Sequence, residues 1–170
     1  SELFRKVRES YNKVKNPPKL TEDNKLSLTM TNGSRIVSLP GDPATVRGYS
    51  GVALFLEDEA SQVSDDFYGA ILPMLMIGDG QLILMSTPFG KRGHFYHEWT
   101  NGGNDWVRHA VTAKECPRMT VEQLEQQRRS MGDLFFRQEF ECKFVDTVEQ
   151  TFSYDRIHSA FSEEVEPLAF

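Results

Sequence analysis

Two apolar runs, each ending abruptly in polar residues, organise the middle of this sequence. Val52-Ala53-Leu54-Phe55-Leu56 runs straight into Glu57-Asp58-Glu59, and Leu82-Ile83-Leu84-Met85 runs into Ser86-Thr87-Pro88. Continuous apolar runs of this length predict fully buried strands of a parallel sheet rather than strands with one wet face. Pro88 ends the second strand, because it lacks an N–H for the ladder and biases Thr87 toward extended backbone. The residues between the two runs leave room for one crossover helix, so the strands are expected to be parallel neighbours. That helix is predicted over 65–76, with Phe67, Ile71, Leu72 and Leu75 inward and a kink at Pro73.

Elsewhere the pattern changes period. Leu3, Phe4, Val7, Tyr11 and Val14 recur at helical spacing until Asn16-Pro17-Pro18 stops them. Leu26, Leu28 and Met30 alternate with polar residues, and Asn32-Gly33 precedes a second run over 34–39. Asn-Gly predicts a two-residue type I′ hairpin loop. That register pairs Thr31 with Ser34 and puts Leu26, Leu28 and Met30 on one face with Leu39, Val37 and Arg35. Residues 40–50 read as a loop carrying Arg47. Phe95, Tyr96 and Trp99 suggest a short helix, and alternation over 106–111 suggests a third sheet strand. Thr120 with Gln123 forms a capping-box pattern for a helix that ends before Gly132. Residues 133–140 continue helically, with Phe135, Phe136 and Phe140 expected in the core, and 154–161 read as weakly helical.

Composition narrows the class. At 170 residues one compact domain is expected, and a formal net charge of -6 argues against an autonomous DNA-coating domain, which needs a basic face. Cys116 and Cys142 have neither metal-ligand spacing nor the look of a disulfide framework, which fits a reducing cytoplasm. His94, His97 and His109 do not form a metal-site pattern with acids. No apolar run approaches the roughly 20 residues of a membrane span. The chain opens at Ser1 inside an amphipathic pattern, so it is expected to be a piece of a longer protein.

Three acids at the tip of a buried strand cost desolvation and mutual repulsion unless a cation or a reacting group lies nearby. Ligands of α/β sheets bind at the carboxyl ends of strands. Nucleotide hydrolysis needs one carboxylate for the magnesium shell and a neighbour to orient or deprotonate water. Ser86 and Thr87 deliver hydroxyls at the adjacent strand tip. The plain alternative is a solvated acidic loop beside an ordinary Ser-Thr turn. The sequence contains no G-x-x-x-x-G-K-[ST] phosphate cradle, and Gly90-Lys91-Arg92 is not one. Lys91 and Arg92 suit either a DNA or subunit contact or a solvated loop.

Taken in order, Arg47-Gly48-Tyr49-Ser50, the strand into Asp58-Glu59-Ala60, Ser86-Thr87-Pro88, the 90–99 segment and Arg137-Gln138-Glu139-Phe140 with Phe144 resemble the ATPase domain of phage terminase large subunits. Those are motors that pump DNA into viral proheads. The resemblance spans residues 1–157. It implies a three-layer α/β fold of the P-loop NTPase-like RecA/ASCE type, with a mainly parallel sheet truncated at its N-terminal side. Residues 1–146 would be a partial ATPase domain and 147–170 a linker toward a missing nuclease domain. Asp58 matches the Walker B magnesium carboxylate and Glu59 the catalytic glutamate. Ser86, Thr87 and Pro88 match the motif that couples hydrolysis to movement. Arg47 sits where some relatives carry an arginine that reaches the nucleotide of the next subunit. Implied cofactors are Mg2+ and ATP. Implied partners are viral double-stranded DNA, the portal protein, the small terminase subunit and other copies in a ring, in the host cytoplasm and without a membrane. Three alternatives stay open: Glu57-Asp58 acting in place of Asp58-Glu59, Arg47 pinning the 40–50 loop, and a different identity altogether. That identity is the first motor domain of a DEAD-like helicase or a folded interaction module that hydrolyses nothing.

Overall fold

The computed structural model describes residues 2–146 together with 156, 159 and 160. The expected linker over 147–170 and the helix over 154–161 lie outside the described residues apart from those three. The chain divides into two compact units, Ser1–Ser50 and Gly51–Phe170.

In the first unit, α1 (Glu2–Lys13) buries Phe4. Arg8 fastens this helix to the sheet, pairing with Asp23 at 2.7 Å, donating to the Asn24 carbonyl at 2.5 Å and lying over the Phe4 ring. The sheet is antiparallel in the order β1 (Leu20–Asn24), β2 (Ser27–Met30), β3 (Arg35–Val37). The polar strand β1 has no apolar alternation to announce it. Leu26, expected in a strand, sits in the β1–β2 turn and is exposed. The hairpin forms at Asn32-Gly33 with a register one residue from the expected one: Leu28 faces Ile36 and Thr29 faces Arg35. A type I′ loop needs positive φ at both central residues, whereas here only Gly33 adopts it, at 83°. Asn32 instead accepts the Ser34 N–H through its side chain, and the Met30 N–H bonds to the Ser34 carbonyl around a three-residue loop. Within the stretch expected to be loop, Asp42 caps a short helix, α2 (Pro43–Val46), by accepting from the Ala44 N–H at 2.9 Å.

In the second unit, β4 (Leu54–Asp58) and β5 (Gln81–Met85) pair in parallel, from Leu54 opposite Gln81 to Asp58 opposite Met85. The connection between them is α3 (Asp65–Met76). Phe67, Ile71, Met74 and Leu75 form its buried stripe, and Phe67 meets Phe55 of β4 with ring centroids 6.2 Å apart. Leu72, expected inward, is exposed: a 3.6-residue period through Phe67 and Ile71 selects Met74 in its place. The helix runs through Pro73 to Met76. Strand β5 starts against β4 so closely that a Cβ on Gly80 would lie 2.0 Å from the Val52 carbonyl oxygen.

The strands are not buried on both faces. Leu54, Leu56, Ile83 and Met85 share one exposed face, while Glu57 lies on the other and is buried. Residues 106–111, expected as a third strand, join no ladder among the described residues and carry no regular secondary structure. A groove of about 880 Å³ runs between them and the 81–88 segment. Arg108 in this segment closes the end of α4 (Gly93–Asn101), donating to the carbonyls of Glu98, Gly103 and Trp106.

The C-terminal helices are α5 (Val121–Met131), with the predicted Thr120–Gln123 capping box, and α6 (Asp133–Glu141). Phe136 is buried, stacks on Phe140 and carries Arg128 over its ring, whereas Phe135, expected in the core, is exposed. Beyond α6, Phe144 packs against Phe95, Tyr96 and Trp99 of α4.

Candidate functional site

Side chains alternate across a strand, so Glu57 and Asp58 point to opposite faces of β4. Glu57 goes inward and is 4% exposed, whereas Asp58 and Glu59 are exposed at the carboxyl end of the strand. Among the described residues, neither the Asp58 nor the Glu59 carboxylate has a hydrogen-bond or ion-pair partner.

Glu59 has φ 55° and ψ 40°, the left-handed region, and opens the 3-10 turn Ala60–Gln62. A non-glycine residue there carries backbone strain of about 1–2 kcal/mol. Two things over-determine it: the Gln62 N–H bonds back to the Glu59 carbonyl at 2.8 Å, and Ala60 is buried at 1% exposure. Strain of this kind aims a side chain that the regular strand would have turned back across the sheet.

The neighbouring strand tip is wired to this turn. The Ser86 hydroxyl donates to the Ser61 hydroxyl at 2.8 Å, so the acidic turn and the Ser-Thr-Pro turn share a hydrogen bond. Thr87 is half-buried beside Ser86, and Pro88 is buried where it ends the strand. Ser61 was not singled out from the sequence, although its place two residues after Glu59 was a usable signal.

The larger omission is His94. It is buried, and its Nε2 lies 3.2 Å from Glu57 Oε2 while its Nδ1 lies 3.3 Å from Asp65 Oδ1. Its backbone N–H also donates to Asp65 Oδ1, at 2.6 Å, from a turn that only Gly93, at φ 76°, forms without strain. Tyr68 stacks on the imidazole with centroids 4.4 Å apart and planes 9° from parallel. Burial pulls the His94 pKa down, but the hydrogen bonds and charges of Glu57 and Asp65 outweigh it, so the net direction is up. Burial, followed by the Glu98 carboxylate, pushes the Tyr68 hydroxyl up to about 12. Glu57 is thereby committed to His94, which leaves Asp58 and Glu59 as the outward pair.

Arg47 ends α2 in the ordinary helical region and is exposed. Its guanidinium has no hydrogen bond or ion pair among the described residues. The loop is held by Asp42 and Thr45 instead, through the Thr45 hydroxyl on the Asp42 carbonyl at 2.7 Å. In the basic loop, Lys91 pairs with Asp146 at 3.6 Å and Arg92 lies over the Phe89 ring.

No group of three or more His, Cys, Asp or Glu among the described residues has the geometry to hold a metal ion. Magnesium does not need one: it keeps most of its waters and takes one or two carboxylates together with substrate phosphates. Asp58, an exposed hard-oxygen donor at the strand tip, fits that requirement. Cys116 and Cys142 are free thiols, and no described helix is long and apolar enough to cross a membrane.

Comparison with known proteins bears directly on this arrangement. The model of the family described as terminase large subunit, T4-like-virus type, N-terminal, matches residues 5–159. The terminase large subunit of Escherichia phage T5 is 31% identical over an alignment of 126 positions that covers 69% of this chain and 28% of that protein. A mutant of the large terminase ATPase domain of Thermus phage P74-26 has a similar fold, with a TM-score of 0.56 at 20% identity over 75% of this chain and 64% of that one. The chain therefore spans little more than a quarter of the length of its curated relative.

Proposed function

Because the chain belongs to the family of terminase large subunits of the T4-like-virus type, we propose that it forms the later part of an ATP-hydrolysing motor domain that drives viral double-stranded DNA into proheads. The observation that carries this is the outward Asp58-Glu59 pair at the end of a parallel strand, joined through Ser61 to Ser86 on the next strand.

In this reading Asp58 holds the magnesium of Mg-ATP, and the ion, when bound, neutralises charge on the phosphate oxygens. Glu59 orients the attacking water and accepts its proton, with the strained backbone fixing its aim. The Ser61–Ser86 bond lets a change at the acidic turn reach the Ser86-Thr87-Pro88 turn and the loop that follows it. Arg47 reaches toward the nucleotide of a neighbouring copy in a ring. Its guanidinium, exposed and unpaired among the described residues, supports that role, since a planar fork suits developing phosphate charge. Portal protein and small terminase subunit complete the set of proposed partners, in the host cytoplasm. The net charge of -6 assigns most DNA contacts to other parts of the assembly.

The phosphate cradle is absent from these 170 residues. We infer that it arrives on a further strand, seated in the groove between β5 and 106–111, whose flanking backbones have no ladder partners on that side among the described residues. Such a strand would extend the parallel sheet, and helices accompanying it would cover Leu54, Leu56, Ile83 and Met85 as a third layer. Without the cradle, nothing holds the β- and γ-phosphates in line, and phosphoryl transfer depends on that positioning.

The test is phosphate release at millimolar Mg-ATP. The full-length subunit turns over, Glu59→Gln slows it by about 10²–10⁴-fold with ATP still bound, and Asp58→Asn weakens the magnesium dependence of binding. The 170 residues alone release no phosphate. A dead Glu57→Gln beside a normal Glu59→Gln overturns the assignment, and Glu59-dependent turnover by the 170 residues alone overturns the account of the cradle. Mixed rings of Arg47→Ala subunits and cradle-knockout subunits regain part of the activity if Arg47 acts across the interface, and none if it does not.

A further inference from the structure

Glu57 and His94 are buried and Asp65 is exposed; the reaction itself uses none of the three, and they come from three segments around the site. Glu57 directly precedes Asp58 on β4. Asp65 begins α3, just beyond the turn that carries Glu59 and Ser61. His94 begins α4, just beyond the loop that follows Ser86-Thr87-Pro88. The imidazole is the hub: one nitrogen faces Glu57, the other faces Asp65, the backbone N–H also reaches Asp65, and one ring face is covered by Tyr68.

We propose that Glu57 and His94, buried, and Asp65, exposed at the head of α3, form a clasp that fixes the carboxylate tip of β4 against the loop leaving β5, which makes Glu57 and His94 positioning residues for ATP hydrolysis. This rests on the function proposed above. Stability alone is a poor reason for the arrangement. A buried acid–imidazole pair repays its desolvation only with excellent geometry and full hydrogen bonding. Here Glu57 Oε1 is buried with no partner among the described residues, a cost an apolar pair of similar volume would avoid. What the polar pair provides, and an apolar pair cannot, is direction. A hydrogen bond fixes the rotation of Glu57 about its strand and hence the azimuth of Asp58 and Glu59, which follow it in the chain. The Ser86–Ser61 bond joins the same two strand ends at the level of the site. The clasp joins them one layer deeper, so β4, the acidic turn and the loop after Pro88 move as one body. Misplacement of a reacting group by about 1 Å is enough to cost about 10²-fold in rate.

The experiment compares wild type, His94→Gln and the apolar double variant Glu57→Leu/His94→Phe in the full-length subunit, with Glu59→Gln as control. Readouts are kcat and KM for ATP, ADP affinity and the urea midpoint. The clasp predicts that both variants lose kcat by about 10–100-fold while KM and ADP affinity stay within about twofold. It also predicts that the double variant keeps or exceeds the wild-type urea midpoint. A stable double variant with wild-type kcat overturns the clasp and leaves the proposed function intact. Equal loss of kcat and of nucleotide affinity also overturns the clasp, since that is the mark of a site that has merely come apart. Wild-type turnover that does not depend on Glu59 overturns the proposed function and the clasp together.

Discussion

Replacing Glu59 with glycine should make the chain more stable while removing the carboxylate proposed above to act in hydrolysis. Glu59 sits at φ 55° and ψ 40°, where an L-residue is strained by about 1–2 kcal/mol. Glycine pays no such penalty but loses about 0.5–1 kcal/mol more chain entropy on folding. The difference leaves Glu59→Gly up to about 1.5 kcal/mol more stable than wild type. For a chain of this size that is a rise of up to about 6 °C in Tm. Removing an acid beside Glu57 and Asp58 also relieves repulsion, so Glu59→Ala is the necessary comparison. It removes the same charge and keeps the backbone strain. The assay is thermal unfolding of the 170-residue chain followed by circular dichroism, with wild type and the two variants side by side. Glu59→Gly should melt above Glu59→Ala, and both should be inactive in the full-length subunit. If glycine melts at or below alanine, Glu59 does not hold the left-handed backbone and the argument that strain aims its side chain fails.

Two further outcomes follow from the same packing. Gly80→Ala drives a Cβ to within 2.0 Å of the Val52 backbone oxygen, and a backbone carbonyl between paired strands has little room to yield. A loss of about 1–3 kcal/mol is expected by urea unfolding, and an unchanged midpoint would refute the close approach. His94, facing Glu57, Asp65 and Tyr68, has a folded pKa above its ordinary value of about 6.5, so its contribution is complete below that pH and is lost as pH rises through the folded value. The stability gap between wild type and His94→Gln should therefore shrink from acid toward neutral and alkaline pH, and a gap that widens instead would contradict the pairing.

The pairing of β4 with β5 was legible because each strand is an apolar run with a definite end and the stretch between them suits one helical crossover. The placement of Glu57 was not read from the sequence, where the three acids stood together at the strand tip, although period-two counting from Phe55 turns Glu57 to the side that α3 covers, away from Asp58. Burial on both faces was read from the same runs and is not what the described residues provide. Leu54, Leu56, Ile83 and Met85 carry the composition of strands covered by a layer that these residues do not supply. The hairpin register failed on a single dihedral, since the Asn32 side chain satisfied the turn that Asn32 backbone had been expected to make. His94 could not be found locally at all. Its partners lie on β4 and at the head of α3, and no spacing within one element brings an imidazole to two carboxylates from elsewhere in the chain.

The uncovered side of β5 has a consequence for how this chain behaves in company. Gln81-Leu82-Ile83-Leu84-Met85 is β-prone, uncharged and free of proline, and its outer edge has no strand beside it among the described residues. Such a segment is a template for any extended chain, including a second copy of itself. Pro88 stands three residues downstream as a gatekeeper that prevents the template from lengthening. The same edge on which the proposed further strand would extend the sheet is thus the place where unwanted strand pairing would begin if that strand were late to arrive.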